Sequence, residues 1–287
     1  MGAVLSLAAI VAAVSINRVG AGPNGQLSIL LLGTDQRPDE RGGDPGRTDT
    51  MILVVIDRTG TRSHLVSIPR DLWVSVPGHG EGRINTAYRS GELSRPGSGG
   101  ALAERTVSAA LGVPVDRYVL VDMSAVTHVV NALGGIDVVA PNEIIDADFP
   151  TDDFGARRLI IPAGPLHMDG QTALAYARTR HADDDFARMA RQQQVLAAVR
   201  ARATDRTNLA RIPALMSTMS NVTKSDLTPA EIGWLISHAQ TLSEERTRRL
   251  VIGPELATPI TGADGAYLLK PRESLSVAVA GFLAGAS

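Results

Sequence analysis

The run Leu27-Ser28-Ile29-Leu30-Leu31-Leu32-Gly33 contains a single polar side chain and no charge. A strand with one solvent-exposed face alternates apolar and polar residues, whereas a strand buried on both faces is apolar throughout. The run therefore predicts a strand in the middle of a sheet that is covered on both sides. Met51 to Asp57 and Ser63 to Ile68 show the same pattern and predict two further central strands.

The rest of the chain alternates strand and helix patterns, which predicts one α/β domain with sheet and helices interleaved. Further strands are expected at Arg117 to Asp122, Ile136 to Ala140 and Arg248 to Ile252. Helices are expected at Ala101 to Leu111, Ser124 to Leu133 (with Ser124 as N-cap), Gly170 to Tyr176, Thr207 to Ser220, Pro229 to Leu242 and Ser274 to Leu283. Gly91 to Gly100 is expected to be a loop, and Asn142 to Gly155 an acidic, irregular rim.

Composition excludes several classes of protein. The chain has 287 residues, is 44% hydrophobic and carries a net charge of −2, which argues against a general nucleic-acid-binding protein. It contains no cysteine, so thiol catalysis, disulfides and thiolate metal sites are excluded. No P-loop, nucleophile elbow or His-Glu-x-x-His zinc motif is present.

The N-terminal segment is apolar from Val4 to Ile16 except for two serines. It is shorter than the ~20 residues of a spanning helix, so we interpret residues 1–19 as the remnant of an N-terminal membrane anchor. A buried N-terminal helix is the alternative. Residues 20–26 are rich in glycine and predict a linker, which leaves residues 27–287 as the folded domain.

Charged residues cluster at the ends of the predicted strands. Asp35 and Asp49 flank one loop, with Arg37, Arg47 and Arg70 beside them. Two carboxylates together with phosphate oxygens are a common way to hold Mg²⁺, and arginines neutralise charge on a phosphoryl group. Loop capping and local ion pairs are the alternative explanation.

A second basic group lies in the stretch from Tyr176 to Val199. Arg178 and Arg180 are two residues apart, so in an extended segment they point the same way, about 6–7 Å apart. Together with the basic residues of the helix that follows, they predict a cradle for phosphate oxygens, which match the bidentate arginine fork.

That following helix carries Arg188 and Gln192 four residues apart, on one face with Val195 and Val199. The apolar continuation indicates that this face looks inward, where a guanidinium needs an anionic partner. If that partner is a ligand, replacing Arg188 by Gln leaves the free energy of unfolding unchanged or raises it. If the partner is instead the acidic run Asp183 to Asp185, the same change lowers it.

Seven blocks in order give the chain a close resemblance to the LytR-CpsA-Psr family of bacterial cell-wall proteins, over roughly Leu27 to Ala203. The blocks are Gly33-Thr34-Asp35-Gln36-Arg37, Arg47-Thr48-Asp49-Thr50, Ser67-Ile68-Pro69-Arg70-Asp71, Arg83-Ile84-Asn85-Thr86-Ala87-Tyr88, Tyr176-Ala177-Arg178-Thr179-Arg180-His181, Asp185-Phe186-Ala187-Arg188 and Arg191-Gln192-Gln193. Gly134-Gly135-Ile136-Asp137-Val138 is also similar to that family. Residues 27–203 are thus the motif-bearing core, and residues 204–287 are expected to be a helical C-terminal part.

The resemblance implies a membrane-anchored enzyme whose catalytic domain lies outside the cell. Such enzymes move a glycopolymer phosphate from a polyprenyl-pyrophosphate carrier to peptidoglycan, typically to a muramic acid 6-hydroxyl. Their fold is a central mixed sheet between helices, with the lipid tail in an apolar tunnel. In this chain two apolar helix faces fit such a tunnel or plain core: Val126, Val129, Val130, Leu133, Leu196 and Val199.

Carried over by motif, Asp35 and Asp49 hold Mg²⁺ and Asp185 orients an arginine or helps to activate the acceptor hydroxyl. The residues expected to bind pyrophosphate are Arg37, Arg47, Arg70, Arg83, Arg178, Arg180, Arg188 and Gln192. Arg83 departs from the family, whose members often carry lysine there, so the charge is kept but the head-group geometry differs. The loops Asp39 to Gly46 and Arg89 to Gly100 leave recognition of the acceptor open.

Two rival functions share these residues. A pyrophosphatase would hydrolyse the same carrier-linked substrate with water in place of the sugar hydroxyl. A non-enzymatic lipid-phosphate-binding or regulatory protein would bind the carrier without turnover. Against a nucleic-acid-binding regulator, the chain has no helix-turn-helix signature with a basic recognition face.

Overall fold

The computed structural model describes residues 26–34, 44–57, 59–151, 155–179, 185–205, 208, 223–238, 244–262 and 265–285. The strands are β1 (Gln26–Thr34), β2 (Thr48–Asp57), β3 (Ser63–Ser67), β4 (Trp73–Val76), β5 (Gly80–Arg83), β6 (Arg117–Asp122), β7 (Ile136–Ala140), β8 (Ile144–Pro150), β9 (Ala156–Ile161), β10 (Gly164–Met168), β11 (Thr223–Ser225), β12 (Thr247–Val251), β13 (Ala257–Thr261) and β14 (Tyr267–Pro271). The α-helices are α1 (Ala87–Ser94), α2 (Gly99–Leu111), α3 (Met123–Ala132), α4 (Gly170–Arg178), α5 (Asp185–Thr204), α6 (Pro229–His238) and α7 (Leu275–Ala284), with 3₁₀ turns at Ile84–Thr86 and Glu244–Arg246.

A six-stranded mixed sheet in the order β11-β6-β1-β2-β3-β12 forms the centre of the molecule. The three apolar runs are its middle strands, and β2 is antiparallel to both β1 and β3. β6 is parallel to β1, and β12 is parallel to β3. The ends of β1, β3, β6 and β12 therefore share one edge of the sheet with the beginning of β2.

Alternate residues of the central strands enter two separate cores. Leu27, Ile29 and Leu31 pack with α3, α4 and α5, whereas Leu30 and Leu32 pack with α1, α2 and α7. Each such side chain contributes about 1.5–3 kcal/mol when fully buried, which explains why both faces of the sheet must be covered. The predicted fold class, a central mixed sheet flanked by helices, is confirmed.

Several elements differ from the sequence-based expectation. Asn142 to Gly155 is not irregular, because β8 lies within it and pairs with β9 to form a hairpin. The expected loop Gly91 to Gly100 is short, since α1 continues to Ser94 and α2 begins at Gly99. The N-cap of α3 is Asp122 rather than Ser124, because the Asp122 carboxylate accepts a hydrogen bond from the Ala125 amide at 3.0 Å.

The C-terminal part was expected to be helical and is only partly so. The predicted helices at its centre and end are present as α6 and α7, and the predicted strand is β12. The hairpin of β13 and β14 and the short edge strand β11 were missed. These strands are short and carry exposed polar positions, so they lack the long apolar run that marks the central strands.

The predicted anchor (residues 1–19), the linker up to residue 25 and most of the helix expected at residues 207–220 lie outside the described residues. Within the described ranges, no helix has both the length and the apolar character needed to span a membrane.

Candidate active site

The candidate site lies at the sheet edge where β1 and β3 end and β2 begins. Thr34, the last residue of β1, pairs with Thr48 at the start of β2. The turn after β3 brings Arg70 to the same edge, and α5 begins there with Asp185. Strand pairing and the packing of α5 thus bring together side chains that are more than one hundred residues apart in sequence.

Asp49 and Arg70 form the first contact of the site. Arg70 Nη1 lies 2.8 Å from Asp49 Oδ2, and Asn85 Nδ2 donates to Asp49 Oδ1 at 3.2 Å. Asn85 is fixed by its own backbone, because its amide donates to the Arg70 carbonyl at 3.3 Å and its carbonyl accepts from Thr48 Oγ1 at 3.2 Å. Asn85 was not assigned a role from the sequence, although it lies inside the motif that begins at Arg83.

Asp185 and Arg188 form the second contact, on the first turn of α5. Arg188 Nη2 lies 2.8 Å from Asp185 Oδ1 and donates to Oδ2 at 2.9 Å. Asp185 Oδ1 is also 4.0 Å from Arg70 Nε, and Arg188 Nη2 donates to the Asp49 carbonyl at 3.5 Å. Asp185 therefore stands between two arginines, as expected of a carboxylate that orients them.

Asp71 joins Arg83 to the same group. Its Oδ2 lies 3.4 Å from Arg70 Nε, and its Oδ1 lies 2.9 Å from Arg83 Nε. Asp71 was missed because a lone aspartate after Arg70 is not distinguishable from an ordinary turn residue. We call Asp49, Arg70, Asp71, Arg83, Asp185 and Arg188 the arginine–carboxylate network.

The surroundings of the network change the pKa values of Asp185 and Arg70. Burial raises the pKa of Asp185, Arg188 and Arg70 oppose this, and the nearby Asp71 and Asp49 raise the pKa further. Burial alone would lower the pKa of Arg70, but Asp49, Asp185 and Asp71 hold it above its usual value. The arginine therefore stays charged, while Asp185 is the carboxyl group of the network that burial drives towards protonation.

Arg178, Arg47 and Gln192 were also predicted to bind pyrophosphate. Arg178 was expected in an extended segment, but it is the last residue of α4, and its guanidinium lies 5.7 Å from the centre of the Phe149 ring. The helix continues because Ala175 and Ala177 favour it. Arg47 is exposed immediately before β2. Gln192 is buried on α5, where its Nε2 donates to the Ala177 carbonyl at 3.4 Å.

Asp35, Arg37, Arg180 and the aspartates at 183 and 184 lie outside the described residues. Among the residues that are described, no group of three or more His, Asp and Glu side chains is arranged to hold a metal ion. The chemistry of Asp49 fits Mg²⁺, because each of its oxygens accepts one hydrogen bond and retains a further lone pair. The two-carboxylate magnesium site therefore stays a prediction.

An apolar cavity lies further along α5, between this helix and the sheet. It has about 400 Å³ of empty space, part of it open to solvent, and its walls come from β2, β3, β12 and α5. The lining residues are Val54, Ile56, Ser63, Leu65, Leu196, Ala197, Arg200, Thr247 and Arg249. Val126, Val129, Val130, Leu133 and Val199, the other residues expected to line a tunnel or the core, are fully buried in the core.

Comparison with known proteins agrees with the fold and the motifs. A model of the LytR_cpsA_psr family matches residues 8–269. The polyisoprenyl-teichoic acid–peptidoglycan teichoic acid transferases TagT and TagV of Bacillus subtilis (strain 168) are 33% identical over 203 residues and 34% identical over 205 residues. A structure of TagT bound to LIIa-WTA has a TM-score of 0.73 and 26% identity, and covers 95% of this chain and 94% of that chain.

The two sequence matches include 70% of this chain, but only 60% of TagT and 49% of TagV. This chain thus spans about half to three fifths of these curated relatives. The family match extends over most of the chain and includes every block of residues that forms the site. The chain belongs to the LytR_cpsA_psr family.

Proposed function

We propose that this protein is a phosphotransferase that moves a glycopolymer phosphate from a polyprenyl-pyrophosphate carrier to peptidoglycan, outside the membrane. The observation that carries the proposal is the arginine–carboxylate network, in which three arginines lie at one sheet edge beside the first turn of α5. The relatives TagT and TagV are named as transferases of polyisoprenyl-linked teichoic acid to peptidoglycan, which supports the same reaction class.

The arginines supply the binding energy for the pyrophosphate. Arg70 and Arg188 each hold a guanidinium that is mostly buried and already oriented by a carboxylate, so little reorganisation is needed when phosphate oxygens arrive. Arg83 contributes a third positive charge through its contact with Asp71. We include Arg37, Arg47, Arg178, Arg180 and Gln192 as further ligands on the basis of their motifs.

The transfer step requires an acceptor hydroxyl oxygen to attack the phosphorus atom that bears the glycopolymer. The new oxygen–phosphorus bond forms while the bond to the bridging oxygen breaks, and polyprenyl phosphate leaves. We assign Asp185 as the group that receives the hydroxyl proton, because its raised pKa brings it closer to the working pH than an ordinary carboxylate. Arg70 and Arg188 stabilise the charge on the transferring group.

A bound Mg²⁺ would neutralise the phosphate oxygens, and Asp49 with Asp35 would hold it. We predict that Asp49→Asn abolishes turnover, because the amide removes the negative charge that a divalent ion requires. Asn also keeps the volume and one acceptor oxygen for Arg70. Titration of Mg²⁺ into the protein saturated with farnesyl pyrophosphate should show binding to the wild type and none to the variant.

Asp44→Asn is the matched control, because Asp44 is an exposed carboxylate close to the start of β2 and its ion pair is with Arg89, which is not a member of the network. Full activity of Asp49→Asn would rule out the two-carboxylate site.

The wild-type chain should also be incubated with a lipid-linked glycan and nascent peptidoglycan. Glycan bound to peptidoglycan supports the transferase, released glycan phosphate indicates the pyrophosphatase, and binding without either product indicates a lipid-phosphate-binding protein.

The proposed lipid tail occupies the apolar cavity beneath α5. From Arg188 to Leu196 the helix advances by about 12 Å, so the cavity begins within reach of a tail whose pyrophosphate contacts the network. The cavity is lined mainly by aliphatic side chains, which suit an apolar lipid tail. An apolar tunnel that connects it to the network is part of this proposal.

A further inference from the structure

Arg191 is a buried arginine of α5 that takes no part in the arginine–carboxylate network. It is 5% exposed and lies against the C-terminal end of α4. Its Nε donates to the Tyr176 carbonyl at 3.0 Å, and its Nη2 donates to the Thr179 carbonyl. Its guanidinium also lies 5.9 Å from the centre of the Tyr176 ring.

The two carbonyls that Arg191 binds lie on either side of Arg178 in the sequence. The last carbonyls of a helix have no partner within the helix, and a cation at this end is favoured by the helix dipole. Arg191 therefore acts as a side-chain cap from a neighbouring helix. The same contacts fix the backbone on both sides of Arg178, which is a proposed pyrophosphate ligand.

Thr179 is held from the opposite side as well. Its hydroxyl donates to Asp146 Oδ2 at 2.6 Å, and both residues are buried. Asp146 belongs to β8, so the backbone that follows Arg178 is clamped between α5 and the β8–β9 hairpin. The Arg191 guanidinium is costly to bury at this depth, whereas an apolar side chain would fill the same space without polar atoms that need partners.

We propose that Arg191 is a positioning residue for the anion site: it fixes the backbone around Arg178 and thereby sets the position of Arg178 relative to Arg188. This inference rests on the proposed function. Arg188 and Arg191 are three residues apart on α5. The helix that carries the proposed ligand Arg188 therefore also holds, through Arg191, the backbone around the proposed ligand Arg178.

The test compares Arg191→Lys with Arg202→Lys. Arg202 is a matched control, because it lies in the last turn of the same helix, at the end opposite to the network. Its Nε likewise donates to a backbone carbonyl, that of Leu133, at 3.3 Å. Lysine keeps the charge but cannot span two carbonyls with a planar fork. Isothermal titration with farnesyl pyrophosphate should give a dissociation constant about 10- to 100-fold higher for Arg191→Lys, with no change for Arg202→Lys.

A double-mutant cycle separates positioning from general stability. If Arg191 acts through Arg178, then Arg191→Lys should cause no further loss of affinity in an Arg178→Gln background, although it lowers the melting temperature equally in both. Additive losses of affinity would overturn the inference, and so would equal affinities of Arg191→Lys and the wild type.

A second variant covers the case in which Arg191→Lys does not fold. Thr179→Val keeps the side-chain volume and the carbonyl but removes the hydrogen bond to Asp146, so it should weaken the same positioning and raise the dissociation constant. Wild-type affinity in Thr179→Val would then overturn the inference. If the wild-type protein itself fails to bind farnesyl pyrophosphate, the proposed function falls and this inference falls with it.

Discussion

Arg188 has a structural role beside its proposed role in binding. The sequence left two alternatives for this residue, an anionic ligand or a partner among the aspartates at 183–185, and the structure shows that Asp185 is paired with it. Asp185 is still about one quarter exposed, so its carboxylate is open to a ligand, whereas the Arg188 side chain is buried beside it. An ion pair of this kind orients the guanidinium before phosphate arrives.

At this residue we therefore expect Arg188→Gln to lower both stability and affinity. Loss of the guanidinium removes a charge-assisted hydrogen bond from Asp185, and the free energy of unfolding should fall by about 1–3 kcal/mol. The dissociation constant for farnesyl pyrophosphate should rise about 10- to 100-fold. Urea denaturation and isothermal titration measure the two effects, with Arg105→Gln on the exposed face of α2 as the control. An unchanged dissociation constant would contradict the binding role.

Glu104 on α2 predicts a dependence of stability on pH. Burial raises the pKa of Glu104 to about 8, and the negative charge of the nearby Asp226 adds to this, whereas Arg117 opposes it. The folded state therefore retains a proton that the unfolded chain has lost above its ordinary pKa. The free energy of unfolding should fall as the pH rises from the ordinary value of 4.5 through about 8.

Glu104→Gln tests this prediction, because the amide is neutral at every pH and keeps the hydrogen-bonding capacity. Melting temperatures between about pH 5 and about pH 9 should fall less steeply for this variant than for the wild type. Glu81→Gln on the exposed strand β5 is the control and should follow the wild-type curve. Parallel curves for all three proteins would show that Glu104 does not hold the proton.

At the scale of elements, α3 and α4 cross at Gly170, which leaves no room for a side chain. A Cβ atom there would lie 2.3 Å from the Thr127 carbonyl oxygen and 2.7 Å from its Cα. The Gly170 amide also donates to Asn131 Oδ1 at 2.8 Å, so the two backbones are held in contact. Because α4 ends in Arg178, this crossing fixes the helix that carries a proposed pyrophosphate ligand.

Gly170→Ala should therefore destabilise the protein by about 1–3 kcal/mol, because the clash is with backbone that cannot move aside. The control is Gly281→Ala on α7, where a Cβ meets nothing within 4 Å. There alanine should stabilise the helix by about 0.5–1 kcal/mol. A lower melting temperature for Gly170→Ala together with a higher one for Gly281→Ala would confirm the close crossing. Melting temperatures that change in the same direction would contradict it.

At the scale of the whole molecule, the network and the cavity lie along the same helix, α5, over the central sheet. This arrangement predicts that affinity depends on the length of the lipid tail. Ala197→Phe should fill the cavity and weaken binding of a long polyprenyl pyrophosphate, while binding of inorganic pyrophosphate stays unchanged. Ala190→Phe, at an exposed position of the same helix, is the control. Equal loss for both ligands would show that the cavity does not receive the tail.

The sequence alone determined the layered fold. Unbroken apolar runs such as Leu27 to Gly33 have no polar face, so they can only be strands covered on both sides. It also predicted that Asp49 and Arg70 meet at the sheet edge, because charged residues next to such strands lie at their ends. Short hairpins such as β8–β9 were missed, since β8 buries the aspartate Asp146 and exposes Ile145, which hides the apolar–polar alternation.

The tertiary structure decided which charges pair. Asp71 and Asn85 join the site because turns from β3 and the start of α1 approach the beginning of β2, a proximity that local sequence does not encode. Arg188 and Arg191 are three positions apart on α5. Arg188 nevertheless faces the ends of the strands, whereas Arg191 faces the end of α4. Sequence spacing places both on one helix, but only the packing of α4 and β8 against α5 assigns a partner to each guanidinium.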